Sequence, residues 1–160
     1  MSSSYIDYLK SAFLILELNQ FSYSLKKQQK SLKKYYSIDT GIANSISFIF
    51  SEDKGRMFEN IVFLHLKNSE SNIYYYKTRN NLEVDFLIAD NMEIKDLIQV
   101  SLNIENSKTR AREIQSLAAA MEELNINSSK IITYDQEEEI RQGSKTIHVI
   151  PAFKWLIGIY

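Results

Sequence analysis

Two carboxylates in this 160-residue chain stand where apolar side chains are the rule. Glu59 falls in the stretch 55–67, where Phe58, Ile61, Val62, Leu64 and Leu66 predict a helix buried on several sides. Three, four and seven residues on from Glu59 are Val62, Phe63 and Leu66, so it shares their face. A carboxylate removed from water is costly unless it is paired or holds a metal. The other reading is a first-turn glutamate favoured by the positive end of the helix dipole. Asp85 interrupts an apolar strand over 82–89, where aspartate is disfavoured. A turn at Asp90-Asn91 folds the next strand back, and simple counting sets Asp85 opposite roughly Asp96, within reach of 97–99. Gln99 and Ser101, two residues apart, point to one side of that strand. Glu59, Asp85, Gln99 and Ser101 can therefore meet where the helix crosses the sheet, and paired or metal-bound carboxylates are the chemistry such a set offers. The alternative is a polar sheet edge facing solvent.

Other chemistries find less support. There are no cysteines, which excludes disulfides, thiol catalysis and cysteine-bound metals. The four glycines, Gly41, Gly55, Gly143 and Gly158, start no phosphate-cradling loop and no dinucleotide fingerprint. His65 and His148 have no metal-ligand spacing, and nothing assembles a nucleophilic triad. The net charge of −1 means that any nucleic-acid contact must come from a local patch. Lys26, Lys27, Lys30, Lys33 and Lys34, flanked by Tyr23, Tyr35 and Tyr36, form one candidate, able to neutralise phosphates and stack bases. Arg110 and Arg112, at the start of a helix, form another. A solvated loop and intrahelical pairing with Glu113 are the competing explanations. The acidic run 137–139 reads as a solvated turn before Gly143.

The elements that must position these residues follow from periodicity. Ile6, Leu9, Phe13 and Leu16 predict a helix over 4–19. A polar connection over 23–34 precedes a short strand, 34–38, and a short helix, 41–50. After the 55–67 helix come strands at 72–78, 82–89 and 95–102. Ser107 is a suitable N-cap for a helix over 108–124. Strands follow at 130–134 and 145–150, and Pro151 opens a closing helix containing Trp155. Helix, three strands, helix, strand indicates an α/β mixed sheet flanked by helices. The segment 1–10 does not fit a signal peptide, and no apolar run is long enough to span a membrane.

The strings "YYSIDTGI", "GRMFENIVFLHLKN", "IYYYKTRNNLEVDFLIAD", "LIQVSL", "KTRAREIQSLAAAMEELN", "IITYDQEEEI" and "KTIHVIPAFKWLIG" together resemble one family. It is the C-terminal, restriction-endonuclease-like (PD-(D/E)XK) domain of bacterial and archaeal AAA-type P-loop ATPases, domain of unknown function 4143. The resemblance covers about residues 5–158. It implies an αβββαβ core, here over 35–160, behind an N-terminal helix and linker, 1–34, that resembles the tail of a winged-helix segment. It also implies a divalent-metal site built from a helix glutamate, a strand aspartate and an acidic-x-lysine pair. Glu59 in "FEN" and Asp85 in "EVDF" match the first two. Gln99 and Ser101 in "QVS" depart from the pair, removing one charge that magnesium prefers and the cation that assists water attack. Glu93-Ile94-Lys95 spells acidic-x-lysine, but Glu93 lies just past the turn and pairs near Ile88, away from Asp85.

Three functions are therefore expected to compete. The first is a non-catalytic or weakly active nuclease-like accessory module of an AAA-type ATPase that binds nucleic acid or a protein partner. The second is a magnesium-dependent DNA nuclease using Glu59 and Asp85 as metal ligands with Gln99 as a neutral one. The third is a structural or dimerising domain. A cytoplasmic location, a P-loop ATPase domain in a longer parent chain and DNA as partner accompany the first. Mg2+ is the only cofactor that the resemblance implies.

Overall fold

The computed structural model describes residues 2–41, 53–70 and 72–160. The helix expected over 4–19 is shorter. Helix α1, Ser2–Ser11, ends in a turn where Phe13 takes a left-handed φ of 56°, and strand β1, Ile15–Gln20, follows. The period-two pattern of Leu16 and Leu18 against Glu17 and Asn19 lies hidden inside the three-and-four spacing. Sheet partners decide between them: β1 pairs antiparallel with β2, Lys34–Ser37, and parallel with β3, Ile73–Lys77. The connection 23–34 carries one short helix, α2, Leu25–Lys30. Both β1 and α2 fall inside the segment 1–34, and β1 is part of the same sheet as the rest. The short helix expected over 41–50 lies, beyond Gly41, outside the described residues.

Helix α3 is Asp53–Ser69, and strands β4, Glu83–Asp90, and β5, Glu93–Val100, form a hairpin. Helix α4, Ser107–Leu124, is capped by Asn106 rather than Ser107: the Asn106 side chain accepts from the Lys108 and Thr109 amides. Strand β6 is Ser128–Thr133, β7 Glu138–Gln142 and β8 Lys145–Pro151, followed by helix α5, Ala152–Leu156. The acidic run thus enters an edge strand, not a turn. Its exposed charges suit an edge, where they discourage pairing with other chains.

The strands form one mixed sheet in the order β2-β1-β3-β4-β5-β6-β8-β7. Each face carries its own core. Phe58, Val62, Phe63 and Leu66 of α3 and Trp155 of α5 pack on Tyr36, Phe86, Ile98 and Ile132. Leu117, Ala120 and Met121 of α4 pack on Leu87, Leu97, Ile131 and Val149. The expected α/β sheet flanked by helices is therefore present. β4, buried from Val84 to Ala89, lies between the two cores and does not show the alternation of a half-exposed strand.

The β4–β5 register fixes the site. The turn is Asn91-Met92, both at positive φ, not Asp90-Asn91. A bulge then shifts the pairing, so that Ile88 faces Asp96 while Ala89 faces Ile94. Phe86 pairs with Ile98, which brings Asp85 beside Gln99 instead of Asp96. Glu93 pairs with Asp90 rather than near Ile88, and Lys95 binds Glu93 at 2.6 Å at the exposed hairpin tip.

Candidate functional site

Glu59, Asp85 and Gln99 line one cavity of about 390 Å³ between α3, the β4–β5 hairpin and α4. Ser101 does not join them; its hydroxyl donates to the Asn103 carbonyl at 2.8 Å. Three groups outside the expected quartet join this network, of which Glu113 and Arg112 line the cavity. Lys34, read from sequence as part of a phosphate-binding cluster, reaches in from β2. Its Nζ lies 2.8 Å from Glu83, 3.3 Å from Glu59 and 3.4 Å from Asp85. Glu113, on α4, is 2% exposed and receives the Gln99 amide Nε2–H at 2.7 Å. Arg112 binds the other Glu113 oxygen, with Nε at 3.1 Å.

Both Asp85 oxygens and one Glu59 oxygen have identifiable partners. Asp85 Oδ1 faces Lys34, and Oδ2 accepts the Val100 amide at 3.0 Å. Glu59 Oε1 accepts the Tyr36 hydroxyl at 2.6 Å as well as Lys34. Gln99 Oε1 accepts the Asp85 amide at 3.3 Å. Tyr36 is fixed from behind, stacked on Phe63 at 4.2 Å between centroids.

The electrostatics follow from this packing. Burial, then the charge of Glu59, push the Asp85 carboxyl up to about 7, against the opposing pull of Lys34 and the Val100 amide. Burial alone would lower the Lys34 ammonium, but Asp85, Glu59 and Glu83 outweigh it and hold it above its ordinary value, so it stays charged. Burial, reinforced by Glu59, raises the Tyr36 phenol, which keeps it a neutral donor.

This arrangement does not fit magnesium. Mg2+ demands near-octahedral oxygen ligands at about 2.0–2.1 Å. Glu59 and Asp85 instead converge on an ammonium, and Glu113 is saturated by Gln99 and Arg112. Among the described residues no three acidic or histidine side chains are grouped so as to hold a metal.

The other predicted binding residues divide into two sets. Lys33 pairs with Glu17 at 2.5 Å, and Arg110 pairs with Glu138 through both terminal guanidinium nitrogens. Lys26, Lys27 and Lys30 line a separate cavity of about 830 Å³ beside the end of β3. His65 packs edge-on against Trp155, and His148 lies on β8.

Glu113 was within reach of sequence reasoning: it shares the α4 stripe with Leu117, Ala120 and Met121, the same signal that singled out Glu59. Lys34 was not, because its place depends on which strands pair.

Fold and pocket together define an α/β domain whose buried acidic groups are neutralised from within by its own cations. Residues 54–155 match the family described as domain of unknown function (DUF4143), and the chain belongs to that family. Residues 2–53 match a second family, domain of unknown function (DUF8612). The chain is 41% identical over 162 aligned residues to the uncharacterized protein MJ1544 of Methanocaldococcus jannaschii, with 95% of this chain covered. It spans 35% of that relative's length.

Proposed function

We propose that this chain is a restriction-endonuclease-like accessory module of a longer AAA-type P-loop ATPase, that it does not cleave, and that it binds nucleic acid. One observation carries the reading. The Lys34 ammonium sits among Glu59, Glu83 and Asp85, where a nuclease of this architecture would place a divalent cation. An internal cation satisfies the carboxylates without activating water, and Ser101 supplies no second one. The relative's greater length is in keeping with a further domain in such proteins. The cytoplasm is the compartment in which such an ATPase would work.

The test is incubation of plasmid and single-stranded DNA with the protein at millimolar Mg2+ or Mn2+, beside Asp85→Ala. No cleavage above the variant's background is expected. Cleavage that disappears in Asp85→Ala would overturn the reading. It would favour the nuclease alternative, in which Lys34 serves as the amine that "QVS" lacks.

A further inference from the structure

Among the described residues, the charged side chains lining the cavity beside α2 are all cations. Its wall carries Lys26, Lys27, Lys30, Lys77 and Arg79, and no carboxylate among the described residues lines it. The chain as a whole has nearly balanced charge, with 19 basic and 20 acidic residues, and most other cations touch a partner. Lys10 and Lys33 share Glu17; Lys130 holds Asp96; Lys145 and Lys154 hold Glu122 and Glu137. Among the described residues, Lys77 alone of these cations has an ion pair, a loose one to Glu83 at 3.8 Å. Unpaired like charges gathered in a concavity repel one another and are relieved by an anionic ligand. At about 830 Å³ the space lies in the upper range of ligand sites.

The same wall carries an aromatic surface. Tyr23 is 64% exposed, yet its ring is set edge-on to Phe21 at 5.1 Å, and Phe21 is itself packed against Tyr74 at 5.5 Å. Tyr23 is thus an exposed ring on a fixed mount, beside cations. Phosphates alone would need only the lysines. A flat ring held open next to them suits a ligand with both charge and an accessible π-face, which an unpaired nucleotide has and a closed duplex hides.

We propose that the groove between α2 and the end of β3 binds single-stranded nucleic acid, with phosphates on Lys26, Lys27, Lys30 and Arg79 and a base on Tyr23. This rests on the reading of the domain as a nucleic-acid binder and assigns that role to a surface apart from the carboxylate pocket.

The test is fluorescence anisotropy of a labelled oligothymidylate of about 15 nucleotides, titrated with the full chain at about 50 mM salt and above. Compared with it are Lys26→Glu/Lys27→Glu/Lys30→Glu, Tyr23→Ala, and Lys95→Glu as a charge control at the hairpin tip. Thermal melts confirm that all four proteins are folded. The charge reversal is expected to weaken binding roughly tenfold or more and to flatten its salt dependence. Tyr23→Ala is expected to weaken it roughly fivefold or more with the salt slope kept, and Lys95→Glu to change nothing. Wild-type binding that no groove variant alters, or that Lys95→Glu weakens equally, overturns the groove while leaving nucleic-acid binding intact. Loss on charge reversal with no effect of Tyr23→Ala, and equal affinity for duplex DNA or heparin, overturns the single-strand assignment in favour of a general polyanion surface. No binding of single or double strands even at low salt overturns both this proposal and the nucleic-acid reading on which it rests.

Discussion

The Gln99 side-chain amide donates to the Glu113 carboxylate at 2.7 Å, in the interior between β5 and α4. The other end of the same amide receives the Asp85 backbone N–H at 3.3 Å. A neutral amide can serve a donor and an acceptor at once; a carboxylate here would meet Glu113 with like charge. A neutral amide at this position is therefore structurally committed.

Gln99→Glu is expected to destabilise the fold by about 1–3 kcal/mol at neutral pH, because it leaves two buried carboxylates in contact. Urea denaturation at pH 7 and pH 5 measures this. The deficit should shrink at the lower pH, where one of the pair takes up a proton; an equal deficit at both would mean that the contact is not electrostatic.

Removing Lys34 leaves Glu59, Glu83 and Asp85 without their common cation. Lys34→Met is expected to cost about 2 kcal/mol, less than the 3–5 kcal/mol of a fully buried pair because the lysine side chain is 25% exposed. Thermal unfolding at pH 7 reads the loss. Added Mn2+ should restore part of it in the variant and none in the wild type; no difference between the two would dispose of the idea that Lys34 stands in a cation's place.

The Asp85 carboxyl titrates near 7 in the folded chain and near 3.8 when unfolded. Between those values the folded state holds a proton that the unfolded chain has released. The contribution of this group is thus fully present below about pH 4 and is lost as pH rises through 7. Asp85→Asn should remove this slope, gaining relative to the wild type on the order of 2 kcal/mol between pH 5 and 8. Denaturant midpoints across that range check it, and parallel profiles for the two proteins would contradict the raised value.

Tyr36→Phe removes the 2.6 Å bond to Glu59 but keeps the stack on Phe63. The expected loss is about 1–2 kcal/mol. Phe63→Ala, which also opens a cavity beneath Tyr36, should cost about 3–5 kcal/mol. A Tyr36→Phe cost as large as that of Phe63→Ala would place the tyrosine's importance elsewhere.

Residues whose position depends on local periodicity were legible in the sequence. Helix α3, the strands β3 to β5 and helix α4 could each be drawn from spacing alone. So could the meeting of Glu59, Asp85 and Gln99, although the counted register was wrong: an unread bulge and a turn displaced by one residue moved Asp85 from Asp96 to Gln99. What could not be read depended on distant pairing. β1 mimicked a helix because Leu16 fits both periods, and only its neighbours β2 and β3 select the extended form. In the sequence Lys34 is one of five similar lysines, because nothing near it in the chain shows that Glu59 lies across the fold. Ser101 failed for a local reason: its hydroxyl has a nearer acceptor at Asn103.

The junction between the two matched families, at residues 53 and 54, is bridged by a cluster of ion pairs, since Lys34 belongs to one stretch and its partners Glu59, Glu83 and Asp85 to the other. Severing the chain there would strip β3 of its parallel neighbour and leave Glu59, Glu83 and Asp85 without Lys34. The two stretches thus share one sheet and one counter-ion, and a shortened version starting at residue 54 would begin life with a sticky sheet margin.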